Sequence, residues 1–282
     1  MTPQRPDQGE LPAVRSPTAD LQLASLLHAD EPPPYRVAEG SAASPYVITC
    51  DHAGSAVPRA LGSLGLEDVD LERHIAWDIG AAGVATRLAS RLDAWLITQP
   101  YSRLVIDCNR PLDAPDSIAR RSEDIVIPGN ERVSAAEAEL RARSIFHPYH
   151  QRIVGELDRR RGLGQPTILI ALHSFTPTFT GAARRWHVGV LYHRDPRLAR
   201  LLLASLRRDP ALVVGDNQPY AVSDETDYGI VHYGERRGLP HVELEIRQDL
   251  IFDHAGQQVW AERFAQLLRE AAPRLAEEPW PG

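Results

Sequence analysis

The chain has 282 residues, two cysteines and a formal net charge of -7, with its basic residues scattered. That length suits one large domain or two small ones with a sizeable core, and the charge argues against nucleic acid as a partner. No run of about 18 apolar residues marks a membrane span, no N-terminal apolar segment marks a signal peptide, and nothing suggests a disulfide framework, so a cytoplasmic setting is expected.

Residues 1–34 are rich in proline and polar side chains and read as a disordered or loosely packed leader, with a short helix at Leu21–Leu27. The ordered domain is expected over 35–282. Tyr46–Cys50 is a short apolar run, the pattern of a buried strand, and it delivers Asp51-His52-Ala-Gly to its end. Asp70 is placed to cap a helix from Leu71 to about Asp93, with Ile75, Ala76, Ile79, Val84 and Leu88 on its apolar face. His74 and Asp78 then share one face of that helix.

Trp95–Thr98 and Leu104–Cys108 read as strands, the second carrying Asn109 and Arg110 at its end. Residues 112–130 form a polar connection long enough to cover a site. Ser134-Ala-Ala-Glu137 is a capping box that opens a helix running, with a kink at Pro148, to about Arg161. Thr167–Ile170 is a strand, and His173 sits where it ends. A loop at Thr178–Arg185, a strand at His187–Tyr192 and a helix at Pro196–Arg207 follow. Another strand at Val213–Val214 runs into a turn, and Thr226–Leu239 is a long polar connection. His241–Arg247 is a strand with Glu243 and Glu245 on one face, and Gln257–Ala271 is the closing helix. This alternation predicts a single α/β domain, a mixed and mostly parallel sheet with helices on both faces.

In open α/β sheets, ligands gather beyond the carboxyl ends of strands. A catalytic zinc takes three ligands from His, Asp, Glu or Cys and leaves a position for water. Candidate ligands are His52, Asp78 and His173, with His74 the alternative to Asp78. Glu245 is the candidate base, and Glu243 shares its strand face. The plain alternatives are structural histidines, a solvated Asp78 and glutamates in structural ion pairs. Arg110 can hold a carboxylate bidentately while Asn109 adds a donor, or Arg110 simply pairs with Asp107 or Asp113. Arg103, Arg184, Arg185 and Arg247 are further cations, and a substrate with two carboxylates needs more than one of them. Cys50 and Cys108 read as buried thiols, although Cys50 lies close to His52. The sequence contains neither H-E-x-x-H nor a nucleophile elbow.

Six ordered motifs resemble the N-formylglutamate amidohydrolase family over about residues 40–272. They are Val47-Ile-Thr-Cys-Asp-His-Ala-Gly, Ala76-Trp-Asp-Ile-Gly, Tyr101-Ser-Arg-Leu-Val-Ile-Asp-Cys-Asn-Arg-Pro, Leu172-His-Ser-Phe-Thr-Pro, Gly215-Asp-Asn-Gln-Pro-Tyr and Val242-Glu-Leu-Glu-Ile-Arg-Gln-Asp-Leu. The resemblance implies a fold like that of zinc carboxypeptidases and the aspartoacylase group, with one zinc per chain. It implies His52 and His173 as ligands. The wider group places a ligand Glu three residues after the first His. Here that residue is Ser55, and Asp78 is taken to supply the missing carboxylate. Asp107-Cys-Asn109-Arg110 matches the group's carboxylate-binding D-x-N-R motif, and Glu245 matches its late-strand general base. The implied activity removes a formyl group from N-formyl-L-glutamate or a related small anionic N-acyl amino acid, with Arg103 holding a second carboxylate. The alternatives are a zinc deacylase or carboxypeptidase-like hydrolase of another acyl amino acid, or a non-catalytic ligand-binding relative. Neither nucleic acid nor membrane is an expected partner, and oligomeric state is left open.

Overall fold

Apolar runs without alternation belong to strands covered on both faces. In the computed structural model, which describes residues 25–275, Tyr46–Cys50 and Ile168–Phe175 are such strands, buried along their whole length. In chain order the strands are β1 (Arg36–Ala38), β2 (Tyr46–Cys50), β3 (Trp95–Thr98), β4 (Arg121–Ser122), β5 (Ile125–Val126), β6 (Ile168–Phe175), β7 (Thr178–Phe179), β8 (Ala182–Ala183), β9 (Val188–Leu191), β10 (Val214–Asp216) and β11 (His241–Arg247). The α-helices are α1 (Asp68–Leu71), α2 (Ala81–Leu92), α3 (Ala135–Arg141), α4 (His147–Gly162), α5 (Arg197–Leu206) and α6 (His254–Leu275).

Seven strands form one sheet in the order β1-β3-β2-β6-β11-β9-β10. Pairing is parallel for β2 with β3 and β6, β6 with β11, and β9 with β10, and antiparallel for β1 with β3 and β9 with β11. Alternate residues of the central strands enter two separate cores. Ile48, Ile170, Leu172, Val242 and Leu244 pack with α2, α5 and α6. Val47, Trp95, Ile97 and Leu169 pack on the other face with Ile153 and Leu157 of α4. The sheet is therefore covered by helices on both faces, the mixed α/β arrangement expected from the sequence.

Three local expectations are corrected. The helix expected from Leu71 to Asp93 is two short pieces, α1 and α2, joined by turns. Gly80 adopts φ +81°, and a Cβ there would lie 2.2 Å from the Ile251 carbonyl oxygen, so a helix cannot run through it. His74 and Asp78 consequently share no helix face. Leu104–Cys108 is buried but forms turns, with Val105 N–H donating to Ser102 O and Asp107 N–H to Ser117 O. The single helix expected through Pro148 is instead divided into α3 and α4, with Pro148 in the first turn of α4. The missing amide is absorbed by a π-helical turn at Ala142–Phe146 between α3 and α4. The capping box at Ser134 and Glu137 is present with both of its hydrogen bonds.

Residues 1–24 of the expected leader, and with them most of the Leu21–Leu27 helix, lie outside the described residues. Residues 25–34 lie against the domain. Leu26 is buried in the α4-side core, and the Tyr101 hydroxyl donates to Pro32 O.

Candidate metal centre

The loop after β2, the end of β6 and the end of β11 meet on the α4 side of the sheet. Leu169, on the same face of β6 as His173, belongs to the α4-side core, while Val242, Leu244 and Ile246 of β11 pack in the opposite one. That leaves Glu243 and Glu245 on the His173 face, and Glu245 stands directly beside His173 in the β6–β11 register. Asp78 reaches the same point from the turn before α2. Its amide donates to His52 O at 3.0 Å, and the Ser174 hydroxyl donates to Ile79 O at 2.9 Å, so the turn is tied to both strand ends.

His52, Asp78 and His173 are all buried, and each offers one ligand atom within 4.8 Å of the others. The Nδ1 atoms of both rings face one carboxylate oxygen, Asp78 Oδ2, at 3.4 Å from His52 and 2.8 Å from His173. The far side of each ring meets a second carboxylate. His52 Nε2 donates to Asp107 Oδ1 at 2.7 Å, and His173 Nε2 lies 3.5 Å from Asp51 Oδ2. Carboxylates behind imidazoles are the usual support of metal-ligating histidines, because they fix the tautomer and ring orientation. His52 Nδ1, His173 Nε2, Asp51 Oδ2, Glu243 Oε2 and Glu245 Oε2 are buried without a hydrogen-bond partner. Two imidazoles, one carboxylate and a ring of orphaned polar atoms fit a divalent cation better than a structural polar cluster, which would satisfy its own groups.

Electrostatics follow from burial and pairing. Burial and Arg103 oppose a charged His52 ring, but Asp107 and Asp78 outweigh them and raise its pKa. Burial alone would raise Asp78, yet the two imidazoles hold it far below the ordinary carboxylate range. Glu245 is pushed up to about 7, mainly by burial. Burial and the nearby Asp227 hold Glu243 well above its ordinary value. Burial also drives the Cys50 thiol upward, which keeps it neutral and unreactive.

His52, Asp78, His173, Glu243 and Glu245 line a cavity of about 470 Å³, together with Arg103, Arg110, Arg121, Tyr220 and Phe179. The N-formylglutamate amidohydrolase family pattern matches residues 44–252, which span every strand of the seven-stranded sheet except β1 and the whole of this cavity lining. The chain belongs to the N-formylglutamate amidohydrolase family. Gene product Atu2144 from Agrobacterium tumefaciens is similar, with 33% identity and a TM-score of 0.86 over 90% of this chain and 100% of that one. N-formylglutamate amidohydrolase from Ralstonia eutropha JMP134 shares the fold, with 18% identity and a TM-score of 0.65 over 84% of this chain and 98% of that one. No curated protein matches the sequence.

As an N-formylglutamate amidohydrolase family member, the protein is a hydrolase of small amides. In this amidohydrolase, His52, Asp78, His173, Glu245, Asn109, Arg110 and Arg103 line one cavity, whereas the further candidate cations Arg184, Arg185 and Arg247 do not line it. The three proposed from the sequence to bind substrate are already engaged within the protein. Asn109 Oδ1 accepts from the Tyr228 and Gly229 amides, and its Nδ2 donates to Asp227. Arg110 pairs with Asp116 at 3.0 Å, not with Asp107 or Asp113, and donates to the Asn109 and Thr226 carbonyls. Arg103 donates twice to Asp107 Oδ2, and its Nη1 lies 3.7 Å from Asp78 Oδ1. The expected covering segment contributes Asp116, Ala119, Arg121, Ser122 and Glu123 to the lining.

Sequence reasoning missed Asp51 and Asp107 as supports of the histidines, and Tyr149, whose hydroxyl donates to Asp51. Asp107 stood inside a recognised motif, but no spacing rule links it to a histidine 55 residues away. His74, the alternative to Asp78, instead faces Glu123 at 3.4 Å. A second trio, His193, Asp224 and Glu235, does not line the cavity, and Arg194 already bonds both of its carboxylates. Among the described residues, no helix is long and apolar enough to cross a membrane.

Proposed function

We propose that this protein is a zinc-dependent amidohydrolase that removes the formyl group from N-formyl-L-glutamate or a related N-acyl amino acid. The observation that carries the reading is the meeting of His52, Asp78 and His173 within 4.8 Å, beside Glu245, in one lined cavity. Those three residues would hold one zinc per chain. Bound there, zinc would supply Lewis-acid chemistry to amide hydrolysis. Glu245 takes a proton from the attacking water and delivers it to the departing amine nitrogen. Its raised pKa suits both steps, because it accepts readily at neutral pH and then gives the proton back.

Arg103 is held rigidly by Asp107 next to Asp78, so its charge faces the reaction centre. We assign it to the amide oxygen as negative charge develops there, and not to a second carboxylate. Arg110 meets the α-carboxylate. Its partner Asp116 has a side chain that is 58% exposed and can yield to a substrate anion. Asn109 holds the loop at Tyr228–Gly229 and positions Arg110 from behind.

The test is formate release by the zinc-loaded protein from a panel of N-formyl amino acids, with N-acetyl analogues alongside. Formate release with N-formyl substrates, at one zinc per chain, is expected. Full zinc loading without formate release from any member of the panel would sink the proposal. Release of acetate alone would move the substrate to another acyl amino acid.

A further inference from the structure

Three guanidinium groups line the cavity, and they differ in what they have left to offer. Arg103 gives two bonds to Asp107. Arg110 is held by Asp116 and two backbone carbonyls, and can meet an anion only as the exposed Asp116 yields. Among the described residues, the Arg121 side chain donates only to the Asp124 carbonyl, at 3.1 Å, and no carboxylate forms an ion pair with it. It is exposed on its solvent side and stands on β4, on the side of the cavity formed by the covering segment.

The hairpin that carries it is anchored. Arg121 pairs with Val126 and Ser122 with Ile125. Glu123 at the tip faces Arg73 at 3.5 Å and His74 at 3.4 Å, so the neighbouring carboxylate is engaged away from Arg121. Ile127 N–H donates to Arg120 O, and the Ile127 side chain is fully buried. A cation on a fixed support, without a carboxylate of its own, in a cavity otherwise rich in acids, is placed to bind a ligand anion.

We propose that Arg121 is the specificity-determining residue for a second carboxylate, the one on the substrate's side chain. This rests on the amidohydrolase reading above, with Arg110 on the α-carboxylate and Arg103 on the amide. A charge-assisted bond from a partly exposed guanidinium is worth roughly a tenfold preference for an acidic side chain over its neutral isostere. Because the group is open to solvent, added salt weakens that preference.

The experiment compares N-formyl-L-glutamate with N-formyl-L-glutamine on the zinc-loaded parent, Arg121→Gln and Arg121→Lys. The parent prefers the glutamate compound, and 0.5 M salt (roughly a 4 Å screening length) shrinks that preference. Arg121→Gln raises KM for the glutamate compound by about tenfold with kcat little changed, leaves the glutamine compound alone, and loses the salt effect. Arg121→Lys recovers part of the preference. An unchanged preference in Arg121→Gln, or equal loss on both compounds, overturns the proposal. If the parent releases formate from neither compound, the proposed function fails, and calorimetric binding of the same two compounds decides the role of Arg121. A charge preference present in the parent and lost in Arg121→Gln upholds it. An undiminished preference, or binding of neither compound, overturns it.

Discussion

Glu243 and Glu245 show how two identical side chains, two positions apart, acquire different duties. Both are buried on the same face of β11, and each has an oxygen without a hydrogen-bond partner. Glu245 stands beside His173 in the sheet register, while Glu243 stands beside Ala171 and is affected by Asp227. Burial and Asp227 hold Glu243 well above its ordinary value, whereas Glu245, beside His173, is raised to about 7, where a group can both accept and return a proton near neutral pH. Glu245→Gln is therefore expected to retain zinc and lower kcat by about 10²–10⁴-fold, with Glu243→Gln much milder. Turnover and zinc content of both variants check this, and a dead Glu243→Gln enzyme would transfer the role. The pH dependence has a definite sign. A base works only when deprotonated, so kcat/KM rises with pH and levels off above about 7. A flat profile between pH 5 and 8, or the same limb persisting in Glu245→Gln, would assign the titration to another group.

Among the connecting elements, the turn between α1 and α2 determines whether the centre exists. The apolar spacing of Ile75, Ala76 and Ile79 imitates a helix, and from the sequence Asp78 sat on that helix. In the structure, the backbone bond from Asp78 to His52 and the left-handed Gly80 aim Asp78 at both imidazoles instead. Gly80→Ala adds a Cβ against the Ile251 carbonyl and strains a positive φ, which costs about 1–2 kcal/mol or more. A fall in melting temperature of about 3–8 °C, with reduced zinc affinity, is the expected outcome. Unchanged zinc affinity in a destabilised variant would show that the turn serves the fold alone. The run Leu104–Cys108 teaches a related lesson. A short apolar stretch says only that its residues are buried, and without a neighbouring strand to pair with it folds into turns.

Over the whole molecule, the centre joins both ends of the domain, since His52, Asp78, His173 and β11 come from segments far apart in the chain. Filling it is expected to cross-link them. A ligand present at about 100 times its dissociation constant adds about 2.7 kcal/mol, a rise of roughly 5–10 °C in melting temperature for a chain of this size. Melting scans with chelator and then with added zinc check this. His52→Ala and His173→Ala should lose the rise, and an equal rise in both variants would place the zinc elsewhere.

The sequence by itself determined the central strands of the sheet and which residues crowd its edge. The apolar runs at β2 and β6 have the pattern of buried strands, β11 alternates Val242, Leu244 and Ile246 with Glu243 and Glu245, and the polar residues that follow, end or alternate with them emerge together on one side. The motif carrying Asn109 and Arg110 was legible for the same reason, as polar residues closing a buried run. Only the tertiary structure decided who partners whom. That Asp107 supports His52, that Asp116 occupies Arg110, and that Arg121 has no carboxylate partner among the described residues are consequences of how the chain packs. Local periodicity records which way a side chain leaves its own strand or helix. It carries no information about the side chain that arrives opposite, because that depends on how the whole chain packs.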